Sequence, residues 1–315
     1  MARPLVSVIM SVYRDRGALR QSIDSVLRQS FEDLELIAIN DASPDDAGET
    51  LKAVQSCDPR VRIIENEFNL GLTKSLNRGL EAARGRFVAR IDEGDIWLDD
   101  KLKSQAAFLE HNEDFVLVGS RYRHHLPGGD VVPATKLPAD DRAVRDWLFC
   151  GLTPMAHSAI LFRNGTIKYN PRAKTSQDFD LCLRLSLLGR MCNLPQEMLS
   201  MLLTSDGISS QKEEMQFFDH LQMHTQFLAV LRGRIEREQF VLHGTEFPEE
   251  SSLLSLRRRY MGACLRMLNG IGNRRSRRVL KNIFIPDMLL YQVRKRSAPY
   301  LFRATYDAWV AGDVA

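Results

Sequence analysis

Cysteine is scarce and shows no pairing pattern: Cys57, Cys150, Cys182, Cys192 and Cys264 are odd in number and nowhere form C-x-x-C. That argues against a zinc ribbon and a disulfide framework, and it points to a reducing compartment. No apolar run reaches the roughly 18 residues that a membrane-spanning helix needs. The N-terminal "MARPLVSVIMSVYRD" has only a short apolar run before Arg14 and Asp15. It alternates like a strand, so it is read as the first strand and not as a signal peptide. The expectation is a cytoplasmic protein. Glycine-rich phosphate loops are also missing. The first strand-to-helix turn, "SVYRDRG", holds neither G-x-G-x-x-G nor G-x-x-x-x-G-K-[ST]. A dinucleotide-binding Rossmann unit or a P-loop needs those glycines to bring backbone up to phosphate, so their absence argues against both.

What is present is an ordinary globular composition, 44% apolar and 26% charged over 315 residues, enough for one large domain or two with ample core. The net charge of +3 conceals an asymmetry. Between Ser251 and Arg303 there are thirteen Arg or Lys and one acid, Asp287, so the first 250 residues are net acidic. An acidic body with a basic tail suggests two parts with different partners.

Strand and helix patterns alternate through the first half. Buried-strand patterns at 5–10, 34–40, 61–66 and 86–92 are separated by helical spacing at 17–30, 46–55 and 72–83. That order implies parallel strands with helical crossovers, hence an α/β sandwich whose ligands sit beyond the carboxyl ends of the strands. The polar residues at those ends are Ser11/Tyr13, Asn40/Asp41 and Asp92/Asp95. In "ARIDEGDIW", Asp92, Glu93 and Asp95 follow an apolar run and repel one another, so a cation is expected to compensate them. With no phosphate loop, a divalent metal held by oxygen ligands, magnesium or manganese, fits that need. Further strands are expected at 115–123 and 157–162, a helix near 140–150, and a helix over "QDFDLCLRLSLLG" (177–189). From Glu213 the pattern is helical, which places a boundary near 212: an α/β domain at 1–212 and a helical basic extension at 213–315. There is no internal repeat.

Three segments together, "VSVIMSVYRDRGALRQSIDSVLRQSFEDLELIAINDASPDD", "NLGLTKSLNRGLEAARGRFVARIDEGDIWLDDKLKSQ" and "SQDFDLCLRLSLLG", closely resemble glycosyltransferase family 2 over roughly residues 4–209. The resemblance implies a GT-A fold, Rossmann-like with a mostly parallel central sheet flanked by helices, and inverting sugar transfer, with 1–212 as the nucleotide-sugar domain. It implies that Val12 and Tyr13 lie beside the nucleobase and that Asp41 accepts from the base N–H, a preference suited to uracil. Asn77, Arg84 and Asp92 would line the donor pocket. "IDEGD" matches the metal-binding acidic region of the family, with Asp95 and Asp92 as ligands. Gly94 stands where a third acid is usual, which leaves metal dependence open. The family's base falls on Asp178 of the Gln177–Asp178 pair. Asp178 and Asp180 lie about 200° apart around a helix, so they do not share a face. His157 and Gln177 fall on the acceptor side. Thr204 stands where many relatives carry a His, a contact the resemblance marks as lost.

The expected activity is transfer from a nucleotide-sugar, UDP-linked by the Asp41 argument, to a hydroxyl of a glycan or lipid-linked glycan. The competing class is a GT-A-fold protein that has lost its chemistry and binds a nucleotide-sugar or a protein partner; Gly94 and Thr204 favour that class and Asp178 opposes it. Arginines interleaved with Leu, Met, Phe and Tyr over 251–303 suit helices on an anionic bilayer, giving peripheral contact with the inner face. No nucleic-acid motif accompanies the charge. His220 and His224, four apart in "HLQMH", lack the Glu of a zinc protease and are read as helix-face residues.

Overall fold

The first two strands are apolar on both faces and therefore need cover on both. β1 (Val6–Val12) and β2 (Leu34–Asn40) are buried almost throughout, the pattern of central strands in a parallel sheet. The structure, a computed structural model, describes residues 3–98, 100–126, 131–133, 137–149, 151–202, 213–231, 233 and 235–245. Helix α1 (Leu19–Leu27) crosses from β1 to β2, and α2 (Ala47–Cys57) leads to β3 (Val61–Glu65). Helix α3 (Leu72–Ala82) then returns the chain to β4 (Phe87–Arg90), which pairs with β1. The strands β3, β2, β1 and β4 are all parallel. Helix α3 lies close on the sheet because Gly79 faces it: a Cβ there would come within 2.9 Å of Ile39 and 3.0 Å of Ile9.

The remaining strands extend the same sheet. They are β5 (Ile96–Trp97), β6 (Phe115–His125), β7 (Val131–Pro133), β8 (Leu161–Arg163) and β9 (Arg190–Leu202). The sheet order is β3-β2-β1-β4-β8-β6-β9-β5, with β7 on β6. β8 is antiparallel to both β4 and β6, so β6 runs in the same direction as β4. Helix α4 (Lys101–His111) covers the face that carries Val8, Met10, Ala89 and Val118. The expected strand at 157–162 divides: His157–Ala159 is a 3-10 turn, and the strand starts only at Leu161.

Helix α5 (Asp141–Phe149) and helix α6 (Gln177–Leu185) complete the body, followed by α7 (Glu213–Leu231) and α8 (Arg237–His243). The expected boundary near 212 is not where the contacts thin out, because the compact unit runs from Met1 to Phe247. The reason is buried polar chemistry. Asp180 and Arg184, one turn apart on α6, form an ion pair at 2.6 Å with both side chains 1% exposed. Arg184 also donates to the Val241 carbonyl of α8 at 3.2 Å, and Asp219 of α7 accepts from the Thr175 hydroxyl at 2.7 Å. His220 stacks on Phe179 with ring centroids 3.7 Å apart and bonds the Gly151 carbonyl at 2.6 Å. His224 bonds the Phe149 carbonyl at 3.0 Å. Burial pushes these two imidazoles down to about 4 and about 3, so both are neutral core residues. Residues 251–303 and Thr204 lie outside the described residues.

Candidate active site

The carboxyl ends of β1, β2 and β4 deliver Val12, Asn40 and Arg90 to one edge, followed by Tyr13, Asp41 and Asp92. Val12 is buried and Tyr13 is 43% exposed, so the tyrosine ring is available to a ligand at this edge. Asp41 is buried and heavily engaged. Its carboxylate accepts from the Asn66 amide at 2.6 Å and from the backbone N–H groups of Leu70 at 2.8 Å and Gly71 at 2.9 Å. It therefore fixes the loop that leads into α3. Ala42, the next residue, has φ +53°, a left-handed conformation that a non-glycine residue adopts only when its surroundings impose it.

The acidic turn after β4 has a definite architecture. Gly94 has φ +93°, and a Cβ there would lie 3.0 Å from Leu202. A side chain at this position is opposed both by backbone conformation and by packing. Its N–H donates to the Ser22 hydroxyl at 2.9 Å. Asp95 is buried, and its carboxylate is held by the Ser158 hydroxyl and the Leu202 backbone N–H. Burial first, and then neighbouring Asp92, push the Asp95 carboxyl up to about 7. Asp92 remains half-exposed, and its N–H reaches the Ser158 hydroxyl at 3.3 Å. Glu93 turns away and accepts from the Arg16 N–H at 3.1 Å, fixing the β1–α1 loop.

A protein side chain supplies one cation to this cluster. Arg90, only 3% exposed, pairs with Asp92, and its Nε has no hydrogen-bond partner. Its charge also acts on Asp95, His157, Tyr169 and Asp178. Arginine in the last position of a buried strand is the functional signal that pattern reading passes over, since it sits inside an otherwise apolar run.

Asp178 lies in the first turn of α6 and accepts from its neighbour's N–H, that of Phe179, at 2.9 Å. Burial raises its carboxyl above the usual range, Arg90 pulls it back, and Asp92 adds to the rise. Asp180, on the other side of the helix, is committed to Arg184. Ser176, which precedes α6, has φ +53°, so the turn presenting Asp178 is held in a conformation that its surroundings impose.

The other expected site residues take supporting positions. Asn77 donates to the Tyr169 carbonyl at 2.9 Å and accepts from the Tyr169 N–H at 2.8 Å, clamping that segment to α3. His157 bonds the Tyr169 hydroxyl at 2.8 Å, and burial holds its imidazole well below the ordinary value. Gln177 spends its amide on Thr73 at 3.1 Å and the Lys174 carbonyl at 3.0 Å. Arg84 is in the wrong place for a donor pocket. It pairs with Glu35 at 2.8 Å beside Ser7, at the amino-terminal end of β1 and β2, on the opposite edge of the sheet from Asp41 and Asp92. The buried Glu35 carboxylate draws Arg84 there together with Arg62.

As a metal site, the turn offers Asp92 and Asp95. No group of three or more His, Cys, Asp or Glu side chains among the described residues is arranged to hold an ion. Two carboxylates fit a hard cation that takes most of its oxygens from a bound diphosphate and water.

The fold that carries these residues is shared with known proteins. A structure of Staphylococcus aureus TarS residues 1–349, whose title names a complex with UDP-GlcNAc, superposes with TM-score 0.57 at 17% identity, covering 98% of this chain and 92% of that one. A mannosyltransferase from Pyrobaculum calidifontis, whose title names GDP-Man and Mn2+, superposes with TM-score 0.56 at 15% identity, covering 98% of this chain and 86% of that one. At this identity the likeness concerns the fold, which is GT-A. The family model "Glycosyl transferase family 2" matches residues 7–168. Bacillus subtilis TuaG, a glycosyltransferase ascribed to teichuronic acid biosynthesis, is 32% identical over 219 residues, 67% of this chain and 83% of its own length. The chain belongs to glycosyltransferase family 2. Its first curated relatives are matched over 68%, 66% and 65% of their own length.

Proposed function

We propose that the protein is an inverting glycosyltransferase that moves a sugar from a UDP-linked donor to a hydroxyl of a glycan or lipid-linked glycan. The observation that carries this reading is the convergence of two acids from distant parts of the chain, Asp92 after β4 and Asp178 opening α6, around the buried Arg90. In-line displacement needs a leaving-group side and a base side, and these two carboxylates supply one residue to each. The diphosphate lies on the Asp92 side, with the nucleoside along Val12, Tyr13 and the loop organised by Asp41. Asp178 takes the proton of the acceptor hydroxyl as the hydroxyl oxygen attacks the anomeric carbon; the nucleoside diphosphate departs on the opposite face. The raised Asp178 carboxyl makes it a stronger base than a solvated aspartate. Asp92 and Asp95 would hold a magnesium or manganese ion, whose chemistry when bound is to neutralise charge developing on the departing diphosphate. Asn77, His157 and Gln177 support the segments around the site. Residues 251–303 serve as a basic contact to the inner membrane face, where lipid-linked acceptors are presented to a cytoplasmic enzyme.

A second reading, a nucleotide-sugar-binding protein without turnover, is favoured by Gly94 and Thr204. Titrating UDP, with GDP as control, in manganese and then in EDTA tests the donor side. Selective, metal-dependent UDP binding supports the site as drawn, and binding of neither nucleotide overturns it. Asp178→Asn separates the two readings: a transferase loses about 10²–10⁴-fold in kcat with donor affinity unchanged. A protein with no turnover to lose is the second kind.

A further inference from the structure

Beyond the site just described, the second half of β6 reads "SRYRHH", paired with β9 and β7, with four Arg or His residues in its last five positions. Their faces are set by the register. Ala89 of β4, Leu161 of β8 and Val118 of β6 lie in one row and share the face of the core beneath α4. Tyr122 packs on that core too. Arg121, Arg123 and His125 therefore stand on the opposite face, the one that carries Arg90. Asp92 and Arg121 each lie three residues beyond the row in the same chain direction, so both stand towards the same end of the sheet.

The arginines of this strip have no carboxylate partner among the described residues. Eleven ion pairs occur among the described residues, and none of them includes Arg121 or Arg123. Glu197, opposite Arg121 in β9, does not close to ion-pair distance. Arg123 is half-buried, and its Nε is buried with no acceptor. An arginine donor is left inside protein without a partner only at a cost, which a bound anion would relieve. His125 is oriented by its Nδ1 contact to the Ser200 hydroxyl at 2.9 Å, which leaves Nε2 free of that contact. Arginines at alternate positions of one strand also repel each other, a further reason to expect an anion between them.

We propose that Arg121, Arg123 and His125 form an anion subsite that takes the phosphate or diphosphate ester group of the acceptor. The proposal rests on the transferase reading for its assignment to the acceptor. The nucleoside side, at β1 and β2, lies on one flank of Asp92, and the strip lies on the other, beyond Arg90. An acceptor whose anionic group lay there would have its sugar hydroxyls within reach of the site edge.

The test uses the full chain saturated with UDP, so that the donor site is filled. Geranyl diphosphate and the phosphodiester of two glycerols are each titrated by calorimetry. At least one should bind, and Arg121→Met/Arg123→Met should weaken it at least tenfold while UDP affinity is unchanged. Arg121→Lys/Arg123→Lys should retain part of the affinity, which separates lost charge from lost structure. Tighter binding of geranyl diphosphate identifies a polyprenyl-diphosphate carrier, and tighter binding of the diester identifies a phosphodiester polymer. No binding of either probe, or equal affinity in the Met variant, overturns the proposal. Should UDP itself fail to bind, the donor reading fails, while the same titrations of the two Arg variants without UDP still report on the strip.

Discussion

Arg90 carries more of the site than any residue named by its motif. It occupies the last position of β4, it is buried, and it faces carboxylates on both sides of the proposed reaction centre. Because it lowers the Asp178 carboxyl against the rise caused by burial, its removal should raise that carboxyl further. A general base must be deprotonated, so the acid limb of the kcat/KM profile should move to higher pH in Arg90→Met. Arg90→Lys should move it less. A pH–rate profile of the three proteins checks this, and an unmoved limb would remove Arg90 from the base's environment. Gly94 makes the complementary point. Its sequence neighbours led to an expected gap in the metal set, and the structure gives a cause: a left-handed backbone strains any side chain here, and a Cβ would press on Leu202.

At the scale of elements, α6 has two jobs on two faces. The helical spacing of Asp178 and Asp180 already separated them, and the structure commits Asp180 to Arg184 and the last helices. Arg184→Met leaves Asp180 a buried carboxylate whose remaining side-chain partner among the described residues is the Thr245 hydroxyl at 3.4 Å. Breaking such a pair should cost about 3–5 kcal/mol, read as a lower urea midpoint with an unchanged slope. The parallel half of the sheet was legible because β1 and β2 are largely apolar runs separated by crossover helices at regular spacing. The long β9 was not, because Asn193, Pro195, Gln196 and Glu197 interrupt its alternation where the register with β6 shifts. Likewise Arg84 looked like a donor residue on its helix, and only the tertiary placement of Glu35 sends it to the far edge.

For the whole molecule, two buried groups set opposing pH windows. Lys101 is fully buried over the Trp97 ring, with Gln105 as its hydrogen-bond partner at 2.7 Å. Burial lowers it from 10.5 to about 7. Between these values the unfolded chain holds a proton that the folded chain lacks, so stability rises with pH across that window. Asp95 acts with the opposite sign. Burial raises it from 3.8 to about 7, so its contribution is full at low pH and is lost as pH rises towards 7. Lys101→Met should flatten the alkaline rise, by at most about 5 kcal/mol, measured by urea unfolding at neutral and alkaline pH. A rise that persists in the variant would assign it to other groups.

The order of the elements along the chain bears on how the protein comes into being. The proposed base sits on one side of α6, and the other side of that helix is sealed by α7 and α8. A nascent chain that has emerged from the ribosome through Asp178 already has every side chain proposed here to take part in the chemistry. Its α6 nevertheless still exposes a charged pair that later residues must cover. Activity should thus appear abruptly, when α8 is released, and not gradually as the sheet is completed.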